Sequence, residues 1–241
     1  MDDFSKAMST ALEFKELIGL PDDSPLTRSH YANVRKAMGY MSISYFQYSA
    51  LVQKGNINEL VSLFGEDGAA VIKNNRKFIV INDIRTKENA SKYRPLWTLM
   101  HELGHFMLNH LDDKDCIRLR NEKYDWFERE TNAFTANVLL SENALYSYIS
   151  KKHPDDLFLD CNTLGSIHKH FNVSWDALIY RLDFLGIQSA NMSKFLVNTY
   201  KERKKVASCK NISLASTYMV LYAEKLWIHS EYAKKEDFIT L

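Results

Sequence analysis

Residues 97–111, with the sequence WTLMHELGHFMLNHL, decide how the chain is interpreted. The stretch is largely apolar, but two histidines and a glutamate lie near its centre. Pro95 precedes it, and proline is favoured in the first turn of a helix, where its missing N–H leaves no hydrogen bond unmade. The apolar residues recur at helical spacing. The pattern therefore predicts a helix from Pro95 to about Leu111.

His101, Glu102 and His105 form the pattern His-Glu-x-x-His. Residues four apart share one helix face, so both imidazoles can bind the same tetrahedral ion. Glu102 lies about 100° around the helix from His101, where it can act as general base on a water beside the metal. The alternative is a chance match in a core helix, but two buried imidazoles would then each need another polar partner. The pattern predicts a catalytic Zn²⁺ site.

A third ligand is expected, because catalytic zinc usually has three protein ligands. A second amphipathic helix is predicted over residues 124–140, and Glu128 lies at the edge of its apolar stripe. Asn132 follows one turn later and can hold a ligand histidine by a hydrogen bond. We predict Glu128 as the ligand, with Glu130 on the other flank as the lesser candidate. His110 is on the same predicted helix but points about 140° away from His105, so we expect it at the surface or behind the ligands.

The remaining pattern predicts a small sheet among helices. Alternation of apolar and polar residues indicates strands, and Asn-Asn between two strands is typical of a hairpin. Strands are predicted at 40–48, 69–73 and 77–82, and helices at 3–18, 27–38, 57–64, 142–152, 163–170 and 174–185. The predicted fold class is α+β, with a small antiparallel sheet packed on the helix of His-Glu-x-x-His and a mostly helical C-terminal part. We expect one domain over residues 1–190, including a helical subdomain at 142–190, and a helical extension at 191–241.

Charge and composition exclude several classes of function. The formal net charge is +1, so no overall field gathers nucleic acid or an anionic membrane. Residues 163–182 resemble a two-helix DNA-reading unit, but the second helix, predicted at 174–185, carries Asp176 and Asp183 against Arg181, which disfavours phosphate contacts. No apolar run reaches the roughly 20 residues that a membrane span needs. Three cysteines without Cys-x-x-Cys spacing indicate reduced thiols and a cytoplasmic protein.

The two predicted site helices together resemble a known family. HELGH followed by 128-ERETNAFTANVLL-140 is similar to the ImmA/IrrE zinc metallopeptidases, whose second motif is typically E-x-E-A-N-x-F-A-x-x-L-L-M-P. Thr131 and Thr135 stand where that family usually has alanine. In the wider gluzincin group the ligand is the first glutamate of E-x-x-x-D or E-x-x-x-N, which here implies Glu128 with Asn132. The resemblance covers about residues 35–187.

The resemblance implies a zinc-dependent peptidase that cuts a regulatory protein, such as a helix-turn-helix repressor of a mobile element or stress response encoded nearby. A non-cleaving module that binds such a regulator, as an antirepressor or toxin would, is the alternative. The presence of Glu102 disfavours that alternative, because binding alone needs no general base. We expect the substrate to lie extended along a strand edge at residues 77–82. No residue can be assigned from the sequence as a second stabiliser of the oxyanion.

Overall fold

The computed structural model describes residues 4–52, 56–84, 94–111, 122–152 and 159–208, with the backbone alone at 122–124 and 202–208. The described elements are three strands, which form one small sheet, and a larger number of helices. This confirms the α+β class. In chain order they are α1 Ser5–Leu17, a 3₁₀ helix Arg28–His30, α2 Tyr31–Tyr40, β1 Ile43–Gln47, α3 Tyr48–Leu51, α4 Ile57–Phe64, β2 Gly68–Lys73, β3 Arg76–Ile81, α5 Arg94–Met107, α6 Glu122–Leu139, α7 Glu142–Lys152, α8 Cys161–Phe171, α9 Trp175–Phe184 and α10 Ala190–Ser208.

Backbone contacts divide the chain into two compact units. One comprises Met1–Pro154 with Lys169–Leu178, and the other comprises Asp155–His168 with Ile179–Leu241. The predicted domain boundary at residue 190 stays a prediction. The extension predicted from residue 191 is helical as far as Ser208, and residues 209–241 lie outside the described part. Among the described helices, none combines the length and apolar character needed to cross a membrane.

The sheet has the strand order β1-β3-β2. β2 and β3 form the predicted hairpin, in which Asn74 and Asn75 take φ values of 51° and 58°. Positive φ at both turn residues is what a two-residue type I′ turn requires, and asparagine tolerates it. The strands therefore pair antiparallel with Lys73 opposite Arg76.

The sheet departs from the prediction in one respect, because β1 pairs parallel with β3. The chain passes through α3 and α4 before it enters β2, and the hairpin then returns β3 between β1 and β2. The sheet is mixed rather than wholly antiparallel. Since β3 is the central strand and both its edges are paired, the expectation that a substrate pairs with residues 77–82 is wrong. Among the described strands, β2 forms the edge on the hairpin side.

The helix that carries His-Glu-x-x-His packs on the hairpin. One face of β3 presents Ile79 and Ile81, which are fully buried, and α5 buries Met100 and Leu103. α5 contacts β2 and β3 on this side and α6 on another. Burial of these apolar side chains is the main force that holds the helix on the sheet.

α1 supports α6 from behind. It packs along α6, and the rings of Phe14 and Phe134 lie 6.0 Å apart between centroids. Lys15 of α1 is buried, but its ammonium group donates to Asp22 at 2.7 Å and to Ser141 at 3.0 Å. A buried charge is tolerated only when it is paired in this way. The pairing ties α1 to the end of α6.

Gly104 allows α5 and α6 to approach closely. A Cβ atom there would lie 2.8 Å from Cδ1 of Phe134 and 2.9 Å from Cγ2 of Thr131. Both distances are shorter than carbon atoms tolerate, so any larger residue would push the helices apart. The glycine lowers helix propensity by about 1 kcal/mol relative to alanine, and the close packing accounts for its presence.

We expect Gly104→Ala to destabilise the protein by about 1–3 kcal/mol, because overpacking at the helix contact outweighs the gain in helix propensity. Thermal and urea unfolding would measure the change. Gly39→Ala is the matched control, since Gly39 lies in α2 and its added Cβ would meet nothing within 4 Å. The control should be neutral or slightly stabilising. Equal stability of Gly104→Ala and its parent would show that the contact is not tight.

Candidate metal centre

Three side chains from α5 and α6 converge on one point. Nε2 of His101 lies 3.1 Å from Oε2 of Glu128, and Nε2 of His105 lies 3.4 Å from Oε1. The two Nε2 atoms are 3.2 Å apart. The two histidines are adjacent because four residues make about one turn of α5, and Glu128 reaches them because α6 packs closely on α5.

These distances fit a tetrahedral metal site. Ligand atoms about 2.0–2.1 Å from a Zn²⁺ ion at tetrahedral angles are roughly 3.3–3.4 Å from one another. The three observed separations are close to that value, so one ion of this size can contact all three groups with only small movements. In the described part of the chain, this is the group of His, Cys, Asp and Glu side chains whose donor atoms meet closely enough to hold a metal ion. Their role as ligands stays a prediction at this point.

The site is buried on the histidine side and open on the carboxylate side. The side chains of His101 and His105 are 14% and 10% exposed, whereas Glu128 is 30% exposed. A fourth position would therefore be reached from the side of Glu128. Catalytic zinc sites need such a position for water or substrate, whereas structural sites are closed by four protein ligands.

The electrostatics of the site favour a cation. Burial acts to raise the pKa of Glu128, but hydrogen bonds and charge from His101 and His105 outweigh it and hold that pKa well below its usual value. Burial acts to lower the pKa of His101, but the Glu128 hydrogen bond and the charges of Glu102 and Glu128 raise it overall. The same negative field that retains a proton on His101 would attract a divalent ion in its place.

Asn132 lies where it can orient His101. Its Oδ1 atom is 3.2 Å from Nδ1 of that histidine. If Nδ1–H donates to the amide oxygen, Nε2 keeps its lone pair and points toward the centre. The structure brings together the four residues expected at the metal: His101, His105, Glu128 and Asn132.

Glu102 lies between the centre and the sheet. Its Oε2 atom accepts a hydrogen bond of 2.6 Å from the backbone N–H of Ala70 in β2. Its charge also acts on His101. The carboxylate is therefore held beside the candidate metal centre and against β2, without belonging to the group of three predicted ligands.

His110 does not point away from His105, because α5 ends earlier than the sequence suggests. The helix stops at Met107, and Asn109 adopts a φ of 58°. The N–H of His110 then bonds back to the carbonyl of His105 at 2.9 Å. This is the Schellman geometry, which folds the chain onto the last helical turn. It places Nδ1 of His110 3.2 Å from Nδ1 of His105, behind the predicted ligands rather than at the surface.

Glu130 faces His110 and not His101 or His105, the two histidines predicted as ligands. Its Oε2 atom is 2.8 Å from Nε2 of His110, and both side chains are almost fully buried. Burial, with repulsion from His105, lowers the pKa of His110 although the Glu130 carboxylate opposes the shift. The sequence signal that was missed is Asn109, because asparagine is a common residue in left-handed conformation just past a helix end.

The sequence model of one family matches the part of the chain that contains this centre. It is the Peptidase_M78 family, described as the IrrE N-terminal-like domain, and it matches residues 61–183. The match spans 123 of the 241 residues and includes all of α5 and α6. No curated protein matches the chain.

We expect Glu128→Gln to weaken Zn²⁺ binding by more than about 100-fold, because it removes the charged group of the centre. Changes to residues behind the ligands typically weaken metal binding by about 10–100-fold, and loss of a ligand should have a larger effect. Competition with a chromophoric chelator would give the dissociation constant. Asp125→Asn removes an exposed carboxylate from the same helix and serves as control. A dissociation constant unchanged in Glu128→Gln would remove Glu128 from the ligand set.

Proton competition should make metal binding pH-dependent. The pKa of His101 is raised above its ordinary value of 6.5 in the protein without metal, so the proton must be displaced when metal binds. Affinity should be constant well above that raised pKa and fall by about tenfold per pH unit below it. The lowered pKa of Glu128 keeps its carboxylate ionised throughout this range. Titrations from pH 8.5 to 5.5 would measure the slope, and a flat profile would contradict the assignment of His101.

Proposed function

Because the chain belongs to the Peptidase_M78 family of IrrE N-terminal-like domains, we propose that it is a zinc-dependent metallopeptidase that hydrolyses a peptide bond in a regulatory protein. The observation that carries the proposal is the convergence of His101, His105 and Glu128, with Glu102 beside them. A structural metal site would need no extra carboxylate next to an open position.

Each residue of the centre has one role in this proposal. His101, His105 and Glu128 hold Zn²⁺, which when bound lowers the pKa of water to about 7 and polarises a carbonyl group. The Glu102 carboxylate takes a proton from the attacking water and later passes it to the amine nitrogen that leaves. Asn132 holds His101 in the orientation that directs Nε2 toward the ion.

The substrate peptide is proposed to lie extended beside β2. β2 is the edge strand of the described sheet on the side that carries Glu102. An extended peptide can add to an exposed strand edge by main-chain hydrogen bonds. Such binding would bring the scissile bond past the Glu102 carboxylate and into the open side of the centre. This position replaces the central strand β3, which cannot accept another strand.

The biological substrate is proposed to be a transcriptional regulator, such as a helix-turn-helix repressor encoded near this gene. This part of the proposal is supported by the resemblance to the ImmA/IrrE proteins and by a near-neutral chain whose own contact with nucleic acid would gain little electrostatic attraction. A cytoplasmic location is proposed with it, in keeping with three cysteines that have no regular spacing.

We expect Glu102→Gln to bind Zn²⁺ within about threefold of the parent and to lose about 10²–10⁴-fold in hydrolysis, as removal of a general base predicts. Cleavage would be followed by mass spectrometry on peptides that tile the regulators encoded beside the gene. Glu13→Gln, an exposed change in α1, is the control and should cleave normally.

The same experiment separates hydrolysis from the non-cleaving alternative. A metallopeptidase cuts at least one regulator in a chelator-sensitive manner, and the Glu102→Gln variant binds that regulator without cutting it. If the parent binds a regulator tightly, leaves it intact with Zn²⁺ present, and Glu102→Gln changes neither property, the chain is a binding module and the proposed peptidase activity is wrong.

A further inference from the structure

A buried polar cluster lies behind the metal centre and takes no part in the ligand set. The side chains of His110 and Glu130 are only 3% and 6% exposed, and Thr131 is fully buried. Taking a carboxylate and an imidazole out of water is unfavourable unless their hydrogen bonds are made. The hydrogen bonds within this cluster, between α5 and α6, indicate what the buried groups do.

We propose that His110 and Glu130, with Thr131, form a positioning relay that fixes the ring orientation and tautomer of His105. The proposal rests on the proposed function, because it assigns His105 as a metal ligand. None of the three relay residues touches the metal or the substrate in this arrangement. They act through His105 and are therefore positioning residues.

The hydrogen bonds of the relay have one consistent direction. To bind an ion beside Glu128 and His101, Nε2 of His105 must keep its lone pair, and the ring proton must then be on Nδ1. Nδ1–H then donates to Nδ1 of His110 at 3.2 Å or to Oγ1 of Thr131 at 3.3 Å.

The second half of the relay ends on a charge. Because Nδ1 of His110 accepts a hydrogen bond, Nε2 of His110 carries the proton and donates it to Oε2 of Glu130 at 2.8 Å. Oγ1 of Thr131 lies 3.1 Å from Nδ1 of His110 and can bridge the two rings without reversing any bond. Every nitrogen has a single role, and the buried carboxylate stabilises this one arrangement of protons.

The position of His110 is itself determined by the backbone. The turn at Asn109 folds the residue back over the last turn of α5, and its ring stacks on Phe127 with a centroid distance of 4.2 Å. The ring is thus held by His105, Glu130 and Phe127 together. If the ring of His110 turned away, the relay would be broken. These three contacts restrict that rotation.

The two ligand histidines are supported unequally. His101 has the neutral amide of Asn132 behind it, whereas His105 has an imidazole and a carboxylate in series. A carboxylate acting behind a ligand histidine raises the basicity of the ligand and restricts its rotation. Thr131, which stands where the resembling family usually has alanine, adds a hydroxyl contact that alanine cannot make. The relay should therefore contribute to metal affinity chiefly through His105.

The test uses the full chain with Glu130→Gln, which keeps the shape of the side chain and removes its charge. We expect the dissociation constant for Zn²⁺ to rise by about 10–100-fold. Long-range ¹H–¹⁵N NMR spectra of the histidine rings should show Nδ1–H on His105 in the parent and a mixture of tautomers in the variant before metal is added. A purely structural role of Glu130 would not change the tautomer.

Two further variants keep the result interpretable if Glu130→Gln folds poorly. Thr131→Val preserves the methyl group beside Gly104 and removes only the hydroxyl, so its affinity loss should be smaller than that of Glu130→Gln. His110→Phe combined with Glu130→Gln keeps the stacked ring, leaves no buried charge unpaired and should reproduce or exceed the loss of Glu130→Gln. Asp125→Asn is the control for a lost carboxylate on α6 and should bind Zn²⁺ as the parent does.

The possible outcomes distinguish this proposal from the one on which it rests. If the parent binds Zn²⁺ tightly and neither Glu130→Gln nor the double variant changes the affinity or the His105 tautomer, the relay is wrong and the metal centre stands. If the parent does not bind Zn²⁺, the proposed metallopeptidase function is wrong and the relay fails with it. Weaker binding together with an altered tautomer supports the relay.

Discussion

The close approach of α5 and α6 at Gly104 is the constraint on which the site depends. In the arrangement where the carboxylate of Glu128 meets two imidazoles of α5, the helices pack more closely than a Cβ atom at this position would allow. The contact against Thr131 and Phe134 fixes that distance. It also places Thr131, which forms part of the helix contact, directly behind His105. The same side chain, Thr131, therefore contributes both to the packing of α5 on α6 and to the polar surroundings of His105.

The polar groups at this contact form two layers around His105. On one side its Nε2 atom meets Glu128, whose carboxylate stays ionised and creates a field that favours a cation. On the other side its Nδ1 atom meets His110 and, through it, Glu130. The charge of Glu128 is compensated by His101 and that of Glu130 by the Nε2–H of His110, which explains how two acids can lie at a helix interface without a large penalty from desolvation.

The sheet contributes to the site through its edge. Because β3 is central, β2 is left as the outer strand on which α5 lies, and the N–H of Ala70 is directed to Glu102. The proposed base is held by backbone rather than by a side chain. The strand that orients the base is also the strand on which an extended peptide would be placed, so recognition and proton transfer share one element in the proposed mechanism.

Much of this arrangement was determined by the sequence alone. The four-residue spacing of His101 and His105, the spacing of Glu128 and Asn132, and the Asn-Asn turn of the hairpin are local, because helix period and turn geometry depend on neighbouring residues. The tertiary structure alone decided the parallel pairing of β1, the central position of β3 and the return of His110 onto His105. Strand order depends on contacts between distant segments, and the end of α5 depends on whether Asn109 accepts a left-handed backbone to bury the next residue against α6. Because α5 ends there, Glu130 is the partner of His110 and not a ligand candidate. A helical wheel describes one helix at a time and cannot show a contact of this kind.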